Sequence, residues 1–146
     1  MTTSNPKAQP AATGQAELID AMVRASFVTM AILSRTAAEY DLSLTQLRML
    51  AILRDRQGAM SELADYLGLD RSTISGLVDR AERRGLLQRT PNPLDGRGVD
   101  VALTSEGIGL AQRGAEQIAQ ALSPMTSVLS RGEARRLVTL LERMFS

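Results

Sequence analysis

The chain has no cysteine, no histidine and no tryptophan, and Lys7 is its only lysine. Without cysteine there is no disulfide, zinc ribbon, thiol sensor or cysteine nucleophile. Without histidine, the commonest general base and metal ligand is missing. One lysine, lying near the N-terminus, leaves little room for Schiff-base or P-loop chemistry. No run of about 18 apolar residues exists, so no membrane-spanning helix is expected. The N-terminus lacks the apolar core of a secretory signal, which makes the cytoplasm the default compartment. Aromatics are also scarce: Phe27, Tyr40, Tyr66 and Phe145 are the full set. Single-stranded nucleic acid and RNA modules stack bases on several aromatics, so a nucleic-acid partner would be duplex DNA.

What is present is ordinary for a globular domain. Of 146 residues, 44% are hydrophobic, enough for one domain with a real core. The net charge is +1, yet it is unevenly spread. Between Arg71 and Arg97 stand six arginines and three acids, a local net of +3 on a remainder of −2. A basic stretch on a near-neutral chain suits a polyanion-facing surface; the competing reading is a solvated charged face.

Residues 1–16 carry Pro6, Pro10, Gly14 and almost no apolar bulk, and read as a disordered tail. From Glu17 to about Tyr40 apolar residues recur at three- and four-residue steps, the pattern of a long amphipathic helix. Ser43-Leu44-Thr45-Gln46 is a capping box opening a second helix to Asp55. A third, short helix is expected from Ser61 as N-cap to Gly68, a left-handed stop. Asp70 caps a fourth helix, Arg71 to Arg84. Beyond Gly85 the period changes to two. Leu86 to Arg89 and Val99 to Leu103 read as strands of a β-hairpin, separated by a turn rich in Pro and Gly. Thr104 caps a helix to about Leu122, where Ser123-Pro124 is expected to end or bend it. Ser130-Arg131-Gly132-Glu133 is a capping box for the last helix.

Function concentrates in residues 60–103. Ala64 is small where two helices must approach, Gly68 permits the turn, and Ile74 and Leu77 fill the core, a helix-turn-helix pattern. The competing reading is a purely structural helical hairpin. At about 100° per residue, Ile74, Leu77, Val78 and Ala81 form one apolar stripe. Ser72, Gly76, Asp79 and Arg83 point the other way, with Ser75 and Arg80 on the flanks. Short polar side chains at the helix start let a backbone sit deep in a major groove, where Ser and Arg read bases or hold phosphate. The exposed N–H groups of the helix start also favour phosphate. Arg97 stands at the hairpin tip between glycines, suited to a minor groove, and Asp95 can brace its guanidinium. An ordinary surface ion pair, worth about 0–1 kcal/mol, is the competing reading. The DNA-facing candidates are Arg71, Ser72, Thr73, Ser75, Arg80, Arg83, Arg89, Asp95 and Arg97.

The strings SLTQLRML from Ser43, SELADYLGLDRSTISGLVDRAERRGLLQR from Ser61 and PNPLDGRGVDVALTSEG from Pro91 resemble the MarR family of winged helix-turn-helix regulators. The last string fits that family's Asp-x-Arg wing signature followed by Leu-Thr. The resemblance spans residues 17–146. It implies a mainly α fold with a small β-hairpin: a winged helix-turn-helix DNA-binding domain, residues 43–103, on a helical dimerisation region, residues 17–42 and 104–146. It implies a homodimer on a palindromic double-stranded operator, with Ser72, Thr73, Ser75 and Arg80 at the major groove or phosphates. It makes Arg97 the minor-groove arginine and Asp95 its brace. Many relatives have a long polar side chain where Gly76 stands, so no direct base contact from that position is available. The resemblance further implies a repressor released by a small phenolic or anionic effector, with Phe27, Met30 and Tyr40 as pocket candidates; their alternative role is plain dimer core. No metal or cofactor is expected. A winged-helix protein–protein module or a ligand-independent DNA-binding protein are the rival functions. An enzyme is disfavoured: serine hydrolysis lacks its base, and Gly107-Ile108-Gly109 continues to Gln112 where a dinucleotide loop needs glycine.

Overall fold

The computed structural model describes residues 10–94 and 96–146. Among the described residues, six helices and three short strands follow one another. α1 is Pro10–Glu39, α2 Leu44–Asp55, β1 Gly58–Ala59, α3 Met60–Leu67 and α4 Arg71–Arg83. β2 is Leu87–Pro91, β3 Val99–Leu103, α5 Ser105–Thr126 and α6 Arg131–Met144.

α1 begins seven residues before the expected start at Glu17. Proline is well placed at a first helical position, where its missing N–H would be unpaired anyway. The Ala and Gln residues that follow are good helix formers. Residues 10–16 of the expected tail are therefore helical; residues 1–9 lie outside those described. α2 starts at the expected capping box, in which the Ser43 side chain accepts from Gln46 N and the Gln46 side chain accepts from Ser43 N.

α3 departs from expectation at its start. Its N-cap is Ala59, with no side-chain cap, rather than Ser61. The reason is a strand the sequence did not suggest. β1 pairs antiparallel with β3, Gly58 opposite Val101 and Ala59 opposite Asp100, so the extended chain runs directly into the helix. Two residues are too few to show an alternating pattern. The expected hairpin is thereby one side of a three-stranded sheet ordered β1-β3-β2. β2 and β3 pair from Leu87 opposite Leu103 to Pro91 opposite Val99. Val101 and Leu103 are buried as the alternation requires, but Val99, near the wing tip, is exposed.

Gly68 caps α3 with φ 64, a left-handed conformation open to glycine at little cost. Asp70 caps α4, its carboxylate accepting from Thr73 N at 2.8 Å. Thr104 caps α5, its hydroxyl oxygen accepting from Gly107 N. α5 does not stop at Leu122 but runs through Pro124 to Thr126. The ring falls in the last turn, where few helical bonds remain to be lost, and the Thr126 hydroxyl donates to Leu122 O. The Ser130 and Glu133 capping box opens α6 as expected.

The core sits where α2, α3, α4 and the sheet meet the first half of α5. Met49, Leu50, Ile74, Val78, Leu86 and Val101 are its most enclosed large side chains. The stripe of α4, Ile74, Leu77, Val78 and Ala81, is buried throughout. α4 is thereby clamped by one face, and its Ser- and Arg-bearing face is left outside.

Candidate nucleic-acid interface

Two elements present this surface: α4, with its polar face outward, and the wing formed by β2, β3 and their connection. Between them and the start of α3 lies an open cleft of about 580 Å3. Ser61, Arg71, Ser75, Arg89, Asn92 and Arg97 are among the side chains lining it. Four of the expected DNA-facing residues, Arg71, Ser75, Arg89 and Arg97, are thus gathered on one cleft. Ser72, Thr73, Arg80 and Arg83 are exposed on α4 outside it. Asp95 lies outside the described residues, and so does any brace it gives Arg97.

The helix start is electrostatically busier than the sequence reading assumed. Ser72 Oγ donates to Asp70 Oδ1 at 2.7 Å, and the same oxygen accepts from Thr73 N. These donors, the Thr73 backbone N–H first and the Ser72 hydroxyl next, hold the Asp70 carboxyl below its ordinary pKa. The Thr73 N–H and the Ser72 proton are therefore committed, and a negative charge sits at the helix start. Ser72 can still accept a hydrogen bond through its oxygen. Arg71, the first residue of α4, stands beside that carboxylate with its side chain exposed. Among the described residues, no ion pair or side-chain hydrogen bond engages Arg71 or Arg80.

Arg80 occupies the space that Gly76 leaves. Its Nη1 is 3.5 Å from the point a Cβ on Gly76 would take. The missing long side chain is thus covered by a guanidinium from one turn further on. Arg83 folds back, its Nε donating to Asp79 O at 3.3 Å.

Arg89, one of the DNA-facing candidates, lines the cleft and is already paired with two carboxylates. Its Nη2 meets Asp79 Oδ1 at 2.6 Å and its Nη1 meets Glu82 Oε2 at 2.5 Å. The Asp79 hydrogen bond first, and Glu82 after it, raise the Arg89 pKa against the opposing effect of burial. A guanidinium between two carboxylates is neutralised where it stands. Arg89 ties the wing strand β2 to the outer face of α4 on one wall of the cleft. Sequence separations of ten and seven residues across a helix–strand boundary hid this pairing. Asn92, missed by the sequence reading, donates through Nδ2 to Asp100 Oδ1 at 3.0 Å and closes the wing with a backbone bond to Gly98 O.

A second cavity, about 470 Å3, opens between α1, α2 and α5. Met30, Leu33, Leu47, Ala115 and Ile118 are among its apolar lining, and Arg48 is the one charged residue on its wall. Of the three pocket candidates, Met30 lines it; Phe27 and Tyr40 do not. Phe27 lies 75% exposed on α1. Tyr40 packs on the core, its Cε2 3.9 Å from the Cβ point of Gly114. Arg48 was missed because three helices far apart in sequence build the wall. The spacing of Ala111, Ala115 and Ala119 along α5 was the available signal that room is left there. Among the described residues no helix is long and apolar enough to cross a membrane, and no cluster of three or more acidic residues could hold a metal ion.

Comparison with known proteins gives one consistent result. The sequence profile of the MarR family matches residues 40–98. The HTH-type transcriptional regulator PecS of Dickeya dadantii is 32% identical over 132 residues, 87% of this chain and 79% of PecS. Bordetella bronchiseptica BpsR, solved in a study of how 6-hydroxynicotinic acid regulates its DNA binding, superposes with a TM-score of 0.70. It is 26% identical, over 89% of this chain and 99% of that one. NadR in complex with 4-hydroxyphenylacetate, at 22% identity, shares the fold with a TM-score of 0.76 over 99% of this chain and 97% of its own.

Proposed function

Because the chain belongs to the MarR family of winged helix-turn-helix transcriptional regulators, we propose that it is a homodimeric, sequence-specific repressor. It binds a palindromic double-stranded operator and is released by a small aromatic anion. The observation that carries the DNA reading is the cleft between α4 and the wing. Arg71, Ser75 and Arg97 converge on it from two elements, with Arg80 uncommitted beside it. In B-DNA, the major and minor grooves are separated by a ridge of phosphates. α4 enters the major groove, where Ser75 and Arg80 reach base edges. The wing carries Arg97 toward the adjacent minor groove, where negative potential draws arginine. The ridge between the grooves falls in the cleft, opposite Arg71. BpsR, whose DNA binding responds to 6-hydroxynicotinic acid, has the same arrangement of elements.

The dimer reading rests on apolar faces that nothing in one chain covers. Along α1, Leu18, Ile19, Val23, Phe27 and Val28 are all more than two-fifths exposed. α6 has no buried residue, and Phe145 just beyond it is 76% exposed. Contiguous apolar surface on this scale marks an interface. A second copy, bringing the same two faces, is self-complementary. Dimerisation sets the two α4 helices about one DNA turn apart, ~34–36 Å.

The effector reading rests on the cavity between α1, α2 and α5. Apolar walls with one arginine suit a flat ring bearing one negative group. The cavity touches α1 of the dimerisation region and α2 of the DNA-binding domain, so an occupant acts on their relative position. The test is titration of the DNA upstream of the chain's own gene, followed by fluorescence anisotropy, with and without 4-hydroxyphenylacetate and 6-hydroxynicotinate. Tight binding weakened by either acid is expected. Affinity no better than for random duplex, at fixed salt, overturns the DNA reading.

A further inference from the structure

One side chain at the end of α4 crosses to the end of α1, and it is not among the DNA-facing candidates. Arg84 is the C-cap of α4. Its guanidinium crosses to the end of α1, where Nη1 donates to Asp41 O at 2.7 Å and Nη2 to Tyr40 O at 2.9 Å. Among the described residues no other hydrogen bond or ion pair joins α4 to the end of α1. The acceptors suit a cation. The final carbonyls of a helix have no partner within it and carry the negative end of its dipole, and α1 is 30 residues long.

Both ends of this link are seated in the core. On the α1 side, Tyr40 packs toward Gly114 of α5, and Leu42 is buried with its N–H bonded to Ala37 O. Asp41 between them has φ 55, which turns consecutive carbonyls toward Arg84. On the α4 side, Leu86 is buried and its N–H bonds Ala81 O. A planar guanidinium spans two adjacent carbonyls with separate nitrogens, which a lysine ammonium does not reproduce. The link is exposed to water, so its effect on overall stability is small. Its geometric effect is larger, because it opposes rotation of α4 about the apolar stripe on which it rests.

We propose that Arg84 is a positioning residue that fixes the recognition helix against α1 and so sets the half-site spacing the dimer reads. This rests on the dimeric DNA-binding reading above. α1 carries part of the proposed dimer face, so any freedom between α4 and α1 becomes freedom between the two reading helices. Strict spacing requires that freedom to be small.

Two readouts test it on the full chain. The absence of native cysteine permits clean spin labelling of a Ser34→Cys, Ser72→Cys double variant, both positions being exposed. Diluted into unlabelled protein, it reports the α1-to-α4 distance within one chain whether or not the chain dimerises. A narrow distribution is expected, broadened by Arg84→Ala and to a lesser degree by Arg84→Lys. On unlabelled protein, affinity is compared between the cognate operator and operators with half-sites one base pair closer or further apart. The preference for cognate spacing is expected to fall about tenfold in Arg84→Ala, the equivalent of one charge-assisted hydrogen bond, with affinity for random duplex unchanged. Loss of stability alone does not move that ratio. An unchanged distance distribution, or an unchanged spacing preference in folded Arg84→Ala, overturns the proposal. If Arg84→Ala fails to fold by circular dichroism, the same outcomes in Arg84→Lys decide. If the unmodified protein shows no preference for any operator, the DNA reading fails by itself, and the distance measurement still decides whether Arg84 holds α4.

Discussion

Gly107 and Gly109 lie two residues apart at the start of α5, and substitution by alanine is expected to move stability in opposite directions. A Cβ on Gly107 would stand 2.0 Å from Leu86 O and 3.3 Å from Leu103 Cδ2. The first distance is more than 1 Å inside any tolerable carbon–oxygen contact, and the atom met is backbone. Leu86 O cannot swing aside cheaply: it accepts from Thr104 N at 3.0 Å, while Leu86 itself is fully enclosed. Overpacking costs about 1–3 kcal/mol, and losing or stretching the Thr104 bond adds about 0.5–1.5 kcal/mol. The gain in helix propensity from Gly to Ala is about 1 kcal/mol. The clash wins, so Gly107→Ala is expected to lose about 0.5–3.5 kcal/mol, or about 1–14 °C in Tm for a chain of this size. A Cβ on Gly109 meets only Arg113 Nη1, at 3.2 Å, the mobile end of a long side chain. There propensity wins, and Gly109→Ala is expected to gain up to about 1 kcal/mol. Thermal unfolding by circular dichroism at one fixed protein concentration makes the comparison, since association shifts apparent stability. A Gly107→Ala variant as stable as Gly109→Ala would refute the close approach of α5 to Leu86.

Acid should loosen the reading helix. Asp70 is held below its ordinary pKa by Thr73 N–H and Ser72, and Glu133 below its own by Ser130. The native state therefore binds fewer protons than the unfolded one, and stability rises with pH through that range. Their contribution is complete above the ordinary carboxylate range near pH 4 and is lost as pH falls through the lower folded values. Denaturation followed between pH 5 and 2.5 should show that decline, shallower in Asp70→Asn; identical profiles would refute the cap's role. In the cavity between α1, α2 and α5, Arg48→Met should weaken binding of 4-hydroxyphenylacetate about 10–100-fold by calorimetry, the usual span for a hydrogen bond to a charged group. Ala115→Phe should abolish the response with operator affinity kept. Undiminished binding in both variants would place the effector elsewhere.

How much of this was legible in the sequence follows the range of the interactions. The capping boxes at Ser43 and Ser130, the cap at Asp70, the turn at Gly68 and the apolar stripe of α4 are written within a few neighbouring residues, and all appear in the structure. β1 was not legible, because two residues carry no period and its partner Val101 is over forty residues away. The cap expected at Ser61 failed for the same reason, since pairing of Gly58 and Ala59 starts α3 earlier. Arg89 counted as a free cation until Asp79 and Glu82 were seen to flank it. Arg84 looked like one more basic residue at a helix end, and only the fold brings it to Tyr40 and Asp41. The resemblance made both Phe27 and Met30 pocket candidates, but which of them meets the cavity depends on how α2 and α5 cross α1.

The claim that α4 and the wing together grip duplex DNA is tested most directly by operator affinity as a function of salt, for the unmodified protein and Arg97→Ala. Log affinity should fall linearly with log salt, and removing one ionic contact should reduce the slope by about 0.9. Arg97→Ala is expected to show that shallower slope and to weaken binding to all operator variants by a similar factor, with the dimer intact by sedimentation. Unchanged affinity and slope in a folded Arg97→Ala dimer would contradict the account and leave the wing a structural hairpin.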